Sequence, residues 1–201
     1  MKNGKTLSIA GSKIGEVGAS STFTVETGAK LACNNYPVTG AGNFNLQSGA
    51  SISIGSAAGI TSSGSLGNIQ VAGTRTYNSG ATYEYSGALS PQATGNFVTT
   101  ITGATYPASV ANLIINKSTS SAIVTLSNTT DITGNLYLTN GVLLTASAPA
   151  TAPWIRITAA AGIIPDGGSA SSYVDGYIRR TGATAFTFPT GNAGQIGRAH
   201  V

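Results

Sequence analysis

Apolar and polar residues alternate along most of this 201-residue chain, and glycines interrupt the alternation. Four segments share the form apolar-x-apolar-x-[Ser/Thr/Asn]-Gly-[Ala/Val]-x-apolar-x-apolar, with Arg75 as an exception at the first position of the third. A period of two on both sides of the glycine predicts two half-buried strands. The Ser/Thr/Asn-Gly pair is typical of a tight turn, because glycine adopts positive φ without a Cβ clash. The segments are 23–33, 44–54, 75–85 and 136–146, and their corner glycines are Gly28, Gly49, Gly80 and Gly141.

The spacing of these glycines predicts a solenoid. The intervals are 21 residues from Gly28 to Gly49, 31 from Gly49 to Gly80 and 61 from Gly80 to Gly141. The first two fall within the repeat length of about 20–50 residues that solenoids use, and the third spans two repeats, with a weaker copy at 113–126. No segment has a convincing helical period. We therefore expect an all-β, right-handed parallel β-helix or β-solenoid with essentially no helix. The alternative is a β-sandwich, whose short strands and frequent turns give a similar pattern.

The repeat also predicts which side chains fill the interior. Tyr77, Tyr83 and Tyr85 occupy apolar positions of the third segment, so we expect them inside the coil rather than on a sugar-stacking surface. Glu84 lies between two of these tyrosines and is expected to point outward. The side chains expected to be buried are Phe23, Val25, Leu31, Phe44, Leu46, Ile52, Ile54, Tyr77, Tyr83, Leu136, Leu138 and Leu144.

Composition narrows the function classes. Charged residues make up 8% of the chain, against about 25% in ordinary soluble domains. Six acidic residues and one histidine are few groups for acid–base or metal chemistry. The 10 basic residues give a net charge of +4 but are scattered, which argues against nucleic-acid binding. Cys33 is the only cysteine and predicts a buried thiol rather than a disulfide or zinc ligand. No apolar run is long enough for a membrane span.

The densest polar group consists of Asp166, Asp175, Arg179 and Arg180. A glycosidase would need two carboxylates facing each other across a sugar bond. However, Asp166 precedes two glycines and is typical of a turn, and alternation places Asp175 and Arg179 on a solvated strand face opposite apolar neighbours. We therefore assign no catalytic, metal or cofactor-binding residue, expect no cofactor, and expect a non-enzymatic protein.

Several segments resemble the repeat regions of large secreted surface proteins of the Bacteroidota. The resemblance rests on SGASISIG at 48–55, VANLIIN at 110–116, ITGNLYLTNG at 132–141 and SYVDGYIRRT at 172–181. It implies an extracellular or cell-surface chain, exported by the type IX system, that serves as a spacer or adhesive stalk. The implied partners are surface polysaccharides or other cell-surface proteins. The alternatives are part of a carbohydrate-active β-helix enzyme, or a carbohydrate- or ice-binding face built on threonine ladders such as Thr22/Thr24 and Thr74/Thr76.

The C-terminal end differs from the rest of the chain. The string IGRAHV at 196–201 resembles a translated sequencing adapter. If that resemblance holds, the chain is a fragment, and the tail 195–201 is expected to make no ordered contacts. We accordingly expect a solenoid over 1–150, terminal strands of a following unit over 151–194, and an adapter-derived tail over 195–201.

Overall fold

The computed structural model describes residues 1–9, 14–96, 108–147, 153–182, 185–192 and 195–197, and these residues form strands and turns with no helix among them. Many strands are short because a glycine or a turn follows them. In chain order they are β1 Thr6–Ser8, β2 Ile14–Val17, β3 Thr22–Val25, β4 Lys30–Ala32, β5 Val38–Gly40, β6 Asn43–Leu46, β7 Ser51–Ile54, β8 Arg75–Tyr77, β9 Thr82–Gly87, β10 Gln92–Ala93, β11 Ala108–Val110, β12 Asn112–Lys117, β13 Ile123–Thr125, β14 Thr130–Ile132, β15 Asn135–Leu144, β16 Ile155–Ile157, β17 Gly162–Ile164, β18 Ser172–Asp175, β19 Ile178–Arg180, β20 Thr190–Asn192 and β21 Gln195–Gly197.

Strands that lie about one coil apart in the sequence pair in parallel. The largest sheet runs in the order β1-β4-β7-β9-β12-β15-β18-β20-β21, and the other sheets are β3-β6-β8, β2-β5 and β11-β14-β16-β19. Leu31 pairs with Ile52, and Ile52 with Tyr83, so consecutive coils stack directly on one another. Among the strand pairs of the described residues, only β20–β21 is antiparallel. The expected parallel β-helix is confirmed, and the sandwich alternative is wrong because a sandwich consists of antiparallel sheets.

The interior consists of rows of apolar side chains that run along the stack. Inward positions of paired strands fall in the same row because residues two apart point to the same face. Burying each such side chain contributes roughly 1.5–3 kcal/mol, which offsets the cost of ordering a glycine-rich chain. One row contains Leu31, Ile52, Tyr83, Leu113 and Leu136, and the next contains Ile54, Tyr85, Ile115 and Leu138, all buried.

Ten of the twelve expected core residues are buried, and two are not. Phe23 is half-buried and stacks on Phe44 with ring centroids 6.1 Å apart. Leu144 is half-buried, and Leu143 takes the inward position instead. The expectation for Leu144 is wrong because β15 contains a register shift opposite β12 and a positive φ of 99° at Gly141, which together reverse the alternation.

The main sheet runs across residue 150, since β15 pairs with both β17 and β18. The division into a solenoid over 1–150 and a following unit over 151–194 stays a prediction. The expectation that residues 195–201 make no ordered contacts is wrong for 195–197, which form β21 and pair with β20. Residues 198–201 lie outside the described part of the chain.

Candidate functional site

The corner glycines lie at two different corners of the coil. Gly28, Gly49 and Gly80 each lie in a turn before a strand of the main sheet, and the amides of Gly28 and Gly49 donate to the carbonyls of Gly49 and Gly80, both at 2.9 Å. Gly28 and Gly49 have φ of 75° and 73°. At Gly80, where no positive φ occurs, the Asn78 side chain accepts a hydrogen bond from the glycine amide at 2.9 Å.

Gly141 does not belong to this row. It lies within β15, and Leu136, before it, is already in the main sheet beside Leu113. Val142 pairs with Ile123 of β13, so Gly141 marks the next corner along the coil. A Cβ at Gly141 would lie 2.6 Å from Cγ of Lys117. This glycine therefore makes room for a buried lysine that the repeat pattern did not reveal.

Lys117 occupies an inward position at the end of β12. Lys117 is 3% exposed, and its ammonium donates to the Ser86 carbonyl at 2.9 Å and to Oε1 of Gln92. The Gln92 amide nitrogen donates to the carbonyls of Ile54 and Ser56, both at 2.9 Å, which fixes Oε1 toward the lysine. Burial lowers the pKa of Lys117 to about 8.

Arg75 is the second buried cation. It stands in the same inward row as Phe23 and Phe44 and is 4% exposed. Its guanidinium donates to the Val71 carbonyl from Nε at 3.1 Å and from one terminal nitrogen at 3.0 Å, and to the Thr61 hydroxyl at 2.8 Å. Burial lowers the pKa of Arg75 from its usual value. Arg75 therefore binds the long excursion between β7 and β8 to the interior.

The three tyrosines of the third segment lie in the interior, as expected. Tyr77, Tyr83 and Tyr85 are at most 1% exposed, and the Tyr83 and Tyr85 hydroxyls donate to the carbonyls of Asn78 and Thr94 at 2.7 and 2.6 Å. Burial raises the pKa of all three. They are therefore structural, and no sugar reaches them in the folded coil.

Glu84 is more enclosed than the alternation indicates. It is on the outer side of the main sheet but only 8% exposed, because Lys30 Nζ lies 2.6 Å from its Oε2 and the Asn116 amide donates to its Oε1 at 2.7 Å. These partners come from strands on different coils. The carboxylate therefore joins coils together.

Cys33 is fully buried, as the sequence predicts, and burial raises its pKa to about 12. A thiol in this state is a poor nucleophile.

The threonine pairs do not form a regular array. Thr24 pairs with Asn45, which pairs with Thr76, so asparagine separates the two threonine-bearing strands. The Asn43 side chain accepts a hydrogen bond from the Thr74 amide at 2.8 Å. The Asn43 side chain thus joins two neighbouring coils.

The polar group expected near the C-terminal end is divided between elements. A positive φ of 120° at Gly176 separates Asp175, in β18 of the main sheet, from Arg179, in β19 of another sheet. Arg180 donates to the Ala161 carbonyl at 3.0 Å and stands over the Phe186 ring at 4.4 Å. Asp166 is exposed in the connection before β18. Asp175 and Arg179 therefore do not share one strand face.

A different constellation appears on the outer side of the sheet β14–β16–β19. Asp131, Arg156 and Arg179 follow one another in register, and Arg156 holds Asp131 through two hydrogen bonds, one of them 2.9 Å long. The hydrogen bonding of its guanidinium to the Asp131 carboxylate raises the pKa of Arg156. Trp154 and Tyr177, each one residue before a paired strand, form an edge-to-face pair at 6.1 Å. No sequence pattern brings these residues together, because they come from three coils.

Coils in parallel register around an apolar interior define this chain as a parallel β-helix. The described residues contain no group of three or more His, Cys, Asp or Glu side chains arranged to hold a metal ion. Within the same residues, no helix is long and apolar enough to cross a membrane. Comparisons with protein-family models, curated proteins and solved structures find no match.

Proposed function

We propose that this chain is a non-enzymatic structural segment, a spacer or adhesive stalk, of a secreted cell-surface protein. The observation that carries the proposal is the continuous parallel pairing of the main sheet from β1 to β20. In a solenoid each coil contacts mainly its neighbours, so length grows by the addition of coils without a change of fold. Such growth is what a spacer requires.

The engagement of the charged side chains supports a structural role. Arg75 and Lys117 bind backbone carbonyls and an amide inside the coil. Glu84 and Asp131 are each held by a cation, on different sheets. These four groups tie the chain to itself. The carbohydrate-active alternative instead needs two free carboxylates across one cleft, and the ice-binding alternative needs an unbroken threonine array.

Duplication of one coil tests the spacer role. Residues 22–42 form one 21-residue repeat, because Thr22 pairs with Asn43. Insertion of a second copy of residues 22–42 after Gly42 adds one coil and keeps every native contact among the residues before the insertion. We expect cooperative melting and a maximum dimension, measured by small-angle X-ray scattering, that grows by about 5 Å, the spacing between paired strands.

A matched control inserts residues 23–42, one residue fewer. This insertion shifts the alternation by one and turns apolar side chains of the new coil outward, so we expect loss of solubility or of cooperative melting. If the full-coil insertion behaves like this control, the coils are not interchangeable and the spacer proposal is wrong. Release of reducing ends from a panel of polysaccharides by the unmodified chain would favour the enzyme alternative instead.

A further inference from the structure

The geometry points to an anionic polysaccharide as the ligand of the outer face of the sheet β14–β16–β19, with Trp154 and Tyr177 stacking on sugar rings and Arg179 pairing with a sugar carboxylate. We call the five residues Asp131, Trp154, Arg156, Tyr177 and Arg179 the aromatic–arginine face. The inference goes beyond the spacer role and does not depend on it, because a coil that binds a glycan need not act as a spacer.

The aromatic pair supplies the stacking surface. Trp154 and Tyr177 are each only partly buried, whereas Tyr77, Tyr83 and Tyr85 lie in the interior. Their edge-to-face contact fixes both rings on the sheet, with an interplanar angle of 86°. Sugars present apolar C–H faces, and partly exposed aromatic rings bury such faces favourably while keeping their polar edges wet. Rings that are already fixed lose little conformational entropy on binding.

The arginine row supplies the charge. Asp131 is neutralised by Arg156, whose guanidinium it holds in place. Arg179 stands next to Arg156 in register, is exposed, and has no carboxylate within ion-pair distance among the described residues. The row therefore presents one uncompensated positive charge to solvent. A guanidinium binds a carboxylate with two parallel hydrogen bonds, which favours a uronic acid over a neutral sugar.

The two groups are close enough to act on one chain of sugars. Residues two apart along a strand lie about 6–7 Å from each other, and neighbouring strands lie about 4.8 Å apart. Trp154 and Arg156 are two residues apart, as are Tyr177 and Arg179. The strands that carry them, β16 and β19, are neighbours in the sheet. The four side chains thus cover an area of one to two sugar rings on the outside of a sheet, where an extended polymer can lie across them.

The charge distribution favours a polysaccharide over a nucleic acid. Stacking rings beside arginine also suit single-stranded nucleic acids. Those ligands, however, are held by a dense row of basic groups along the backbone, and this chain has only 10 basic residues in 201. One free arginine beside two rings matches a polymer with one carboxylate per sugar.

Trp154 allows a direct test, because it is the only tryptophan of the chain. The full chain is titrated with polygalacturonate and, separately, with the neutral polymer dextran, and tryptophan emission is recorded. We expect a saturable change of emission with polygalacturonate and none with dextran. An equal response to both polymers, no response to polygalacturonate, or an equal response to a single-stranded DNA homopolymer would overturn the inference.

Three variants and two matched controls locate the site. Arg179→Gln and Tyr177→Ala keep the tryptophan and are expected to weaken polygalacturonate binding about tenfold each. Arg179→Glu should abolish it. Lys5→Gln removes an exposed cation from the other end of the stack, and Tyr137→Ala removes a half-buried tyrosine from another sheet; both should bind within about twofold of the unmodified chain. Because Arg179 is exposed, its variants are expected to fold. Equal affinity of Arg179→Gln and Lys5→Gln would show general charge attraction and refute the assigned site.

Discussion

The coils of residues 14–96 and those of residues 108–147 and 153–182 reach the same parallel stacking with different interiors. The N-terminal coils bury the rings of Phe44, Tyr77, Tyr83 and Tyr85 among aliphatic side chains and turn one corner at glycines. The C-terminal coils are filled mainly by aliphatic side chains, and between β11 and β12 the corner consists of Ala111 alone.

The long excursion between β7 and β8 explains part of this difference. That coil must enclose 20 residues that form no strand, and their carbonyls need donors when they are buried. Arg75 supplies such donors to the Val71 carbonyl. Asn68, within the excursion, joins it to the preceding coil, because its amide donates to the Asn34 and Tyr36 carbonyls at 3.0 and 2.9 Å. Parallel strand pairing therefore tolerates coils whose interiors differ in side chains and in length. The condition is that each polar group buried by the excursion has a hydrogen-bond partner.

The largest expected effect is at Arg75. Replacement by methionine keeps much of the volume but leaves the Val71 carbonyl without its donor and releases the excursion, so we expect a loss of about 2–4 kcal/mol in the free energy of unfolding. Urea denaturation measures this loss. Arg179→Met, in the C-terminal coils, is the control and should change stability by less than about 0.5 kcal/mol because Arg179 is exposed. Equal midpoints for both variants would contradict the role assigned to Arg75.

A second test concerns the glycine turn that precedes β7 in the N-terminal coils. Gly49→Val places a β-branched residue at a φ of 73°, with its Cβ 2.9 Å from Cγ2 of Thr27. We expect a loss of about 1–3 kcal/mol. Ser51→Val, on the outer side of the next strand, provides the control and should be tolerated because valine suits a strand. Thermal melting compares the two, and a smaller loss at Gly49 would contradict the strained corner.

A smaller effect is expected from one buried hydroxyl. Tyr85→Phe removes the hydrogen bond to the Thr94 carbonyl without leaving a cavity, which should cost about 1 kcal/mol. That carbonyl keeps the Ile60 amide as a partner, so the loss should not be larger. Tyr137→Phe is the matched variant in the C-terminal coils, where the ring is half-buried, and should cost close to nothing. If the urea midpoint falls equally in both variants, the buried Tyr85 hydroxyl contributes no more to stability than the half-buried Tyr137 hydroxyl, and the expectation is wrong.

The smallest effect is a pH dependence at Lys117. Its folded pKa of about 8 lies below the ordinary value of 10.5. Between these two values the folded state binds fewer protons, so the free energy of unfolding rises with pH. From about pH 7 to about pH 9 we expect the unmodified chain to gain about 1 kcal/mol relative to Lys117→Met.

The comparison with Lys117→Met at each pH is essential because other buried groups act in the opposite direction. Burial raises the pKa of Cys33 to about 12 and raises those of the interior tyrosines. Their contributions are lost as the pH rises above their unfolded pKa values, and they cancel between the two proteins. A constant difference between the two proteins across this range would show that Lys117 titrates normally.

Local patterns determined the strands and the interior tyrosines. The period of two is set by the geometry of each strand, so Leu31, Ile52 and Tyr83 could be assigned to the interior from the sequence alone. The turns at Gly28 and Gly49 are equally local, because they depend on a backbone conformation that glycine adopts without strain.

Only the tertiary structure decided the register between strands and which polar groups contact one another. The resemblance of Gly141 to the other corner glycines is local, whereas its position depends on the pairing of Leu136 with Leu113. Lys117 points inward because Ser86 and Gln92, which belong to the preceding coil, supply acceptors there. The acceptors of Arg75 instead belong to the excursion that precedes it in the chain. The sequence pattern carries no record of those acceptors. An isolated charge would be expelled from an apolar interior. The fold of the excursion brings partners to Arg75, and the stacking of one coil on the next brings them to Lys117.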